Sequence, residues 1–222
     1  MKENCPIIPY IPDLLDGDGL NASTGECLKQ KGLGLSVDVV NWKEYPYKPQ
    51  VSVWLGYNGE YLICTFSVVE NHLLVNNLYD NGSVWEDSCV ELFVADPDDV
   101  YYYNFEANAA GTMLASRRVC RADTDRMPPE EMAKILRCAS LQHKLYDEVL
   151  EDGVCWQLTI AIPFAMIGYA DGAPTEIKAN FYKCGDKTHN THFLSWAPIA
   201  SPTPDFHRPE SFRRLILAKG DN

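Results

Sequence analysis

Two alternating runs, "VSVWLGY" (51–57) and "EYLICTFSVV" (60–69), flank the dipeptide Asn58-Gly59. A period of two sends successive side chains to opposite faces of a strand, and a dipeptide tolerant of positive φ suits a two-residue type I′ turn. The middle of the chain is thereby committed to an antiparallel hairpin, and a lone hairpin is not stable until its apolar face packs against more sheet. The rest of the sequence supplies that sheet. "SCVELFVAD" alternates Val90, Leu92 and Val94 against Cys89, Glu91 and Phe93, and "VYYYNFEANAAGTMLASRR" offers two strands around Gly111. "VCWQLTIAIPF" puts Trp156, Leu158, Ile160 and Ile162 on one face, and "EIKANFYKCG", "HFLSW" and "RRLILAK" follow.

Only "PPEEMAKILRCASLQ" (128–142) reads as helical, with prolines at its start, acids in the first turn and Met132, Ile135 and Leu136 on one side. Many short strands without βα alternation predict an all-β chain, an antiparallel, jelly-roll-like β-sandwich with one short helix. The Pro- and Gly-punctuated residues 1–40 read as an irregular lead-in packed on the domain, residues 41–219 as the sandwich and 220–222 as a tail.

The net charge of −12 opposes binding to a phosphate backbone or an anionic membrane surface, and no Lys/Arg cluster offsets it. Neither nucleic acid nor membrane is therefore an expected partner. The opening "MKENCPIIPYIPDLLDGDG" meets Pro and Asp before an apolar signal region develops. The chain as given is expected to be cytoplasmic, or secreted or periplasmic if its precursor is longer. Among the eight cysteines, Cys64, Cys89, Cys155 and Cys184 fall in apolar strand segments, which favours buried free thiols over disulfides or a structural zinc site.

Glu91 and Glu106 stand mid-strand, where a core has no use for a carboxylate, and adjacent strands would turn both to one side. Carboxylates accept hydrogen bonds from sugar hydroxyls, and aromatic rings stack on the C–H faces of pyranoses, a role open to Trp85 just upstream. The same pair also suits a retaining glycosidase, whose carboxyl groups lie about 5–5.5 Å apart. Trp85 can equally be a loop tryptophan packed on the sandwich edge. A proline-stiffened loop, "PIASPTPDFHRPE", presents Phe206 and His207, and Lys183 sits mid-strand. His189 and His192 lack the further ligands of a zinc site and read as a solvent-facing turn. Two acidic turns, Asp13/Asp16/Asp18 and Asp96/Asp98/Asp99, are candidates for calcium, although plain turns are favoured for both. No nucleophile elbow, P-loop, dinucleotide fingerprint or HExxH motif occurs.

"WKEYPYKPQVSVWL", "GSVWEDSCVELFV", "YYYNFEANAAGTMLASRR", "WQLTIAIPF", "ANFYKCGD" and "HFLSWAPIASPTPDFHRPESF", in this order, resemble the family 9-like carbohydrate-binding modules from about Trp42 to Leu217. The resemblance implies a non-catalytic β-sandwich, related to xylanase-associated modules that sandwich the end of a glycan between two aromatic rings. Carried over by motif, Trp85 and Phe206 are the rings and Glu91, Glu106 and Lys183 the polar contacts, with His207 beside them. It also implies structural calcium, and it brings in a haem-binding relative for which Met113 or His207 would be axial ligands. Two departures stand out: Phe206 replaces the usual tryptophan, and Arg213 replaces a usual glycine after Phe212.

Overall fold

The computed structural model describes residues 5–15 and 19–220, so Asp16 and Asp18 of the first acidic turn lie outside the described residues. Chain order is β1 (Ile7–Ile8), α1 (Ala22–Lys31), β2 (Leu33–Ser36), β3 (Val39–Val40), β4 (Gln50–Tyr57), β5 (Tyr61–Val75), β6 (Cys89–Ala95), β7 (Tyr102–Asn108) and β8 (Met113–Arg118). It continues with β9 (Asp125–Arg126), α2 (Pro129–Met132), β10 (Leu136–Ala139), β11 (Tyr146–Pro163), β12 (Glu176–Cys184), β13 (Phe193–Ser195) and β14 (Arg213–Leu217).

The strands form two sheets. One runs β1-β14-β12-β6-β7-β8-β9, with β13 and β3 branching from β12; the other runs β10-β11-β5-β4-β2. Every strand pairing is antiparallel except β1 with β14. The protein is an all-β sandwich. Its main core comes from alternate residues of both sheets: Val90, Leu92 and Val94 from β6, Phe66 and Val68 from β5, and Trp156, Leu158, Ile160 and Ile162 from β11, all fully buried. Phe66 meets Phe181 of β12 across the interface with ring centroids 6.4 Å apart. Burial of side chains of this size stabilises by about 1.5–3 kcal/mol each before the entropy of ordering them is subtracted.

The β4–β5 hairpin forms, but its turn is shifted by one residue. Asn58 N donates to Tyr61 O at 3.3 Å, so the central residues are Gly59 and Glu60. Gly59 alone takes positive φ (+96°), as at the first central position of a type II′ turn. Asn58 instead uses its side chain, whose Oδ1 accepts from the N–H groups of Glu60 (3.3 Å) and Tyr61 (2.9 Å).

Two expectations about helices are corrected. The stretch read as an irregular lead-in holds the longest helix among the described residues, α1, opened by a capping box in which Asn21 Oδ1 accepts from Thr24 N and Thr24 Oγ1 accepts from Asn21 N. α1 settles on the outer face of the smaller sheet, where a Cβ on Gly25 would stand 3.0 Å from Thr159 Oγ1, so glycine permits the approach. The expected helix at 128–142 is reduced to the single turn α2. Leu136–Ala139 instead pair with β11, whose free edge offers backbone partners that outweigh local helix propensity.

The outer face of the larger sheet carries a second apolar cluster. Phe93, Tyr102, Leu114 and Tyr182 from the strands pack under Trp42, Val84, Ile199, Phe206 and Phe212. The sheet therefore has loops on its far side, and these loops enclose a cavity. Among the described residues no helix is long and apolar enough to cross a membrane.

Candidate functional site

Glu91 and Glu106 are directly opposed in the β6–β7 ladder, both on the outer face, with exposures of 3% and 5%. They form the floor of a cavity of about 330 Å³, with Arg118 and Cys184 beside them. Trp85, Asp186 and Phe193 line it further, as do Arg121 and the loop residues Pro204, Asp205, Phe206 and His207. Period-two alternation explains the floor. Residues 91, 106 and 118 point outward from three consecutive strands, while Leu92, Phe105 and Ala115 point into the main core.

Glu106 is held in a defined network. Asn104 Nδ2 donates to Glu106 Oε1 at 2.7 Å, and Asn104 Oδ1 accepts from Ser116 Oγ (2.7 Å) and Arg118 Nε (3.0 Å). Arg118 is anchored by Arg121 O (2.7 Å) and Thr124 Oγ1 (2.6 Å). Burial pushes both carboxyls up. Glu106 is raised to about 7, with Asn104 and Arg118 opposing the shift, and Glu91 rises well above its ordinary value through burial and then the neighbouring Glu106 charge. Asp186 is raised to about 6, chiefly by burial.

The walls are tied down from several directions. Trp85 is half-buried in a 3-10 turn, Val84–Glu86, whose carbonyl at Trp85 accepts from Asp186 N at 3.2 Å. Asp87 acts as a capping acid: its carboxylate accepts from Asn76 N, Asn77 N, Asn77 Nδ2 and Asn108 Nδ2 at 2.9–3.2 Å. Phe206 lies flat on Tyr182, with centroids 4.3 Å apart and planes at 12°, which occupies one of its faces. His207 Nδ1 lies 3.0 Å from Tyr102 Oη. Burial and the nearby Arg118 and Arg121 lower His207 to about 3, while burial raises the Tyr102 phenol. The phenol therefore donates to Nδ1, and the ring proton sits on Nε2.

Trp85, Glu91, Glu106, Phe206 and His207 thus come together around one cavity. Lys183 does not join them. It is opposite Val90, on the core side of β12, fully buried, and its Nζ lies 2.9 Å from Glu70 Oε2 and 2.9 Å from His192 Nε2. Tyr182 occupies the outward position beside Glu91, so a one-residue difference in register moved the lysine to the opposite face. His192 is buried with it rather than solvent-facing, whereas His189 is exposed. Met113 lies in the main core on the side opposite the cavity, which removes it as an axial partner for a haem beside His207. Cys64, Cys89 and Cys184 are buried free thiols as expected, but Cys155 is exposed.

Arg118, Arg121, Asp186 and Phe193 escaped the sequence reading. Arg118 had a usable signal, since it follows Leu114 and Ser116 on the outward-facing alternation of β8; Arg121 and Asp186 come from turns and Phe193 from the short strand β13, whose positions depend on the assembled sheet. In the second acidic turn Asp96 Oδ1 accepts from Val100 N at 2.8 Å, and Asp99 is ion-paired with Lys178. Arg213 opens β14 opposite Ala179.

A model of carbohydrate-binding family 9 matches residues 24–217. The chain belongs to that family. No curated protein sequence matches it. Among solved structures, a Bacteroides uniformis protein provisionally assigned carbohydrate binding is 33% identical, with a TM-score of 0.82 over 96% of this chain and 97% of the other. A family 9 module from Caldicellulosiruptor kristjanssonii in complex with glucose is similar in fold, at 12% identity and a TM-score of 0.62 over 97% of each chain. The module from that organism with cellotriose gives 10% identity and a TM-score of 0.63, covering 98% of this chain and 95% of that one. Family 9 modules bind carbohydrate and are not catalytic, so the glycosidase reading of Glu91 and Glu106 is set aside.

Proposed function

We propose that this family 9 protein grips the end of a mono- or oligosaccharide in the cavity floored by Glu91 and Glu106. The observation that carries the reading is the register pairing of these two buried carboxyls beside the partly buried indole of Trp85, which lines the same cavity. Sugar hydroxyls are donors and acceptors at once. Glu91 and Glu106 accept from them as carboxylates and donate to them when protonated, and the fixed Arg118 donates. Trp85 is the main stacking platform. Phe206, with one face against Tyr182, contributes its remaining surface together with Phe193. A cavity of about 330 Å³ lies at the small end of ligand pockets, which favours one or two pyranose rings over a long chain segment.

Calorimetry with glucose, cellotriose, xylo-oligosaccharides and manno-oligosaccharides tests the reading, with tryptophan fluorescence as a second signal. Wild type is expected to bind at least one of them, and Trp85→Ala to bind it roughly tenfold or more weakly, equivalent to about 1.4 kcal/mol. A wild type that gives no heat with any of the four removes the proposal for these glycans.

A further inference from the structure

Cys89 and Cys184 face each other in the β6–β12 ladder, on the outer side of the larger sheet. Glu91 lies two residues along β6 on the same side, and the Cys184 thiol donates to its Oε1 at 3.1 Å. The two sulfurs and a carboxylate oxygen all lie within 4.8 Å of one another. Among the described residues, no other group of three or more His, Cys, Asp or Glu side chains converges in this way. A tetrahedral ion with metal–sulfur bonds of about 2.3 Å and metal–oxygen bonds of about 2.0–2.2 Å sets its ligand atoms roughly 3.5–3.8 Å apart. The trio therefore needs only small side-chain adjustments to enclose one.

We propose that Cys89, Cys184 and Glu91 form a site for a thiophilic divalent cation of the zinc class, with its fourth position open to the cavity. Two sulfur donors do not suit calcium, which takes oxygen ligands, whereas a mixed sulfur and carboxylate set suits zinc or cobalt. Glu91 and Cys184 line the cavity, so the ion has an entry path, while the fully buried Cys89 closes the set from behind. Three protein ligands and one open position is the arrangement in which a bound ion also accepts a water or a hydroxyl oxygen. The site shares Glu91 and the cavity with the proposed saccharide site, but it rests on donor geometry alone, so cobalt binding and saccharide binding can each fail without the other.

The test is a titration of phosphine-reduced protein with Co²⁺. One equivalent is expected to give thiolate-to-cobalt charge-transfer absorption and the visible bands of a tetrahedral ion, bleached by one equivalent of Zn²⁺. Cys184→Ala and Cys89→Ser are each expected to lose at least half of the charge-transfer intensity. Glu91→Gln is expected to keep the thiolate signal but to bind at least tenfold more weakly. Replacing the exposed Cys120 and Cys155 by serine leaves the spectrum unchanged. No charge-transfer band at stoichiometric Co²⁺, or a band that survives in the Cys89→Ser/Cys184→Ala double variant, overturns the proposal. Circular dichroism of each variant separates loss of the site from loss of the fold, and Cys184→Ala, at the cavity wall, is the variant least exposed to that ambiguity.

Discussion

Glu91 on β6 stands directly across from Glu106 on β7, so two carboxyls meet as a cross-strand pair in a floor from which water is largely excluded. Burial there disfavours the charged carboxylate, so each group keeps its proton to a higher pH, and for Glu91 the neighbouring Glu106 charge adds to the effect. Glu106 has an ordinary value of 4.5 and a folded value of about 7. Between these values the native state binds more protons than the unfolded state, so this group's contribution to stability falls as pH rises. Glu106→Gln keeps an oxygen for Asn104 and removes the titration. The stability difference between Glu106→Gln and wild type should therefore grow in favour of the variant from pH 4.5 to pH 7, by on the order of 3 kcal/mol. Urea unfolding at several pH values measures it, and a constant difference would count against the raised value of Glu106.

His207 works in the opposite sense. Its folded value is lowered to about 3 from an ordinary 6.5, so the unfolded state takes up a proton over that interval and the native state does not. Its contribution to stability is present above pH 6.5 and declines as the solution is acidified towards pH 3. His207→Gln, whose side-chain oxygen can still accept from Tyr102, is expected to lose less stability on acidification than wild type does. Thermal melts at pH 7 and pH 4.5 compare the two.

Lys183 and Glu70 form a fully buried ion pair at 2.9 Å, and Glu70 Oε1 also accepts from Trp156 Nε1 at 2.7 Å. Removing one partner strands the other charge in the core. Lys183→Met is expected to cost about 3–5 kcal/mol, and the double variant Lys183→Met/Glu70→Gln to recover much of it. Denaturant midpoints provide the measurement. Saccharide affinity, measured well below the melting temperature, should be unaffected, because Lys183 is on the core side of its strand. A selective loss of affinity would restore the lysine to the site.

Asp87 accepts from four N–H groups while fully buried, and it fixes the turn that carries Trp85. Asp87→Ala leaves several donors unsatisfied and is expected to destabilise the protein by at least about 2–3 kcal/mol. Asp87→Asn retains one accepting oxygen and should cost less. Chemical denaturation orders the three proteins.

Much of the sandwich was legible in the residues because strand alternation is local. Val90, Leu92 and Val94 against Cys89, Glu91 and Phe93 needed only a period of two to be sorted between faces, and Asn58-Gly59 located a hairpin to within one residue. The same periodicity turned Glu91 and Glu106 to one side; Trp85 stood out just upstream of that strand and Phe206 and His207 in a proline-stiffened loop, and resemblance to a family then gave the two rings a role. The helix at Ala22–Lys31 was missed because only Thr24, Gly25 and Leu28 of it are buried, too few to make a periodic signal. The segment at 136–139 was misread because its conformation depends on the unpaired edge of β11. Lys183 exposes the limit most clearly. One residue from Tyr182 in sequence, it lies on the other face of the sheet, and only the register of β12 against β6 decides which of the two reaches the cavity. Register, the closing of loops over an outer sheet face, and the meeting of Cys89 with Cys184 are long-range relationships. Sequence determined which residues alternate; tertiary structure decided which of them meet, because hydrogen-bonded pairing between distant strands is fixed by the packing of the whole sandwich.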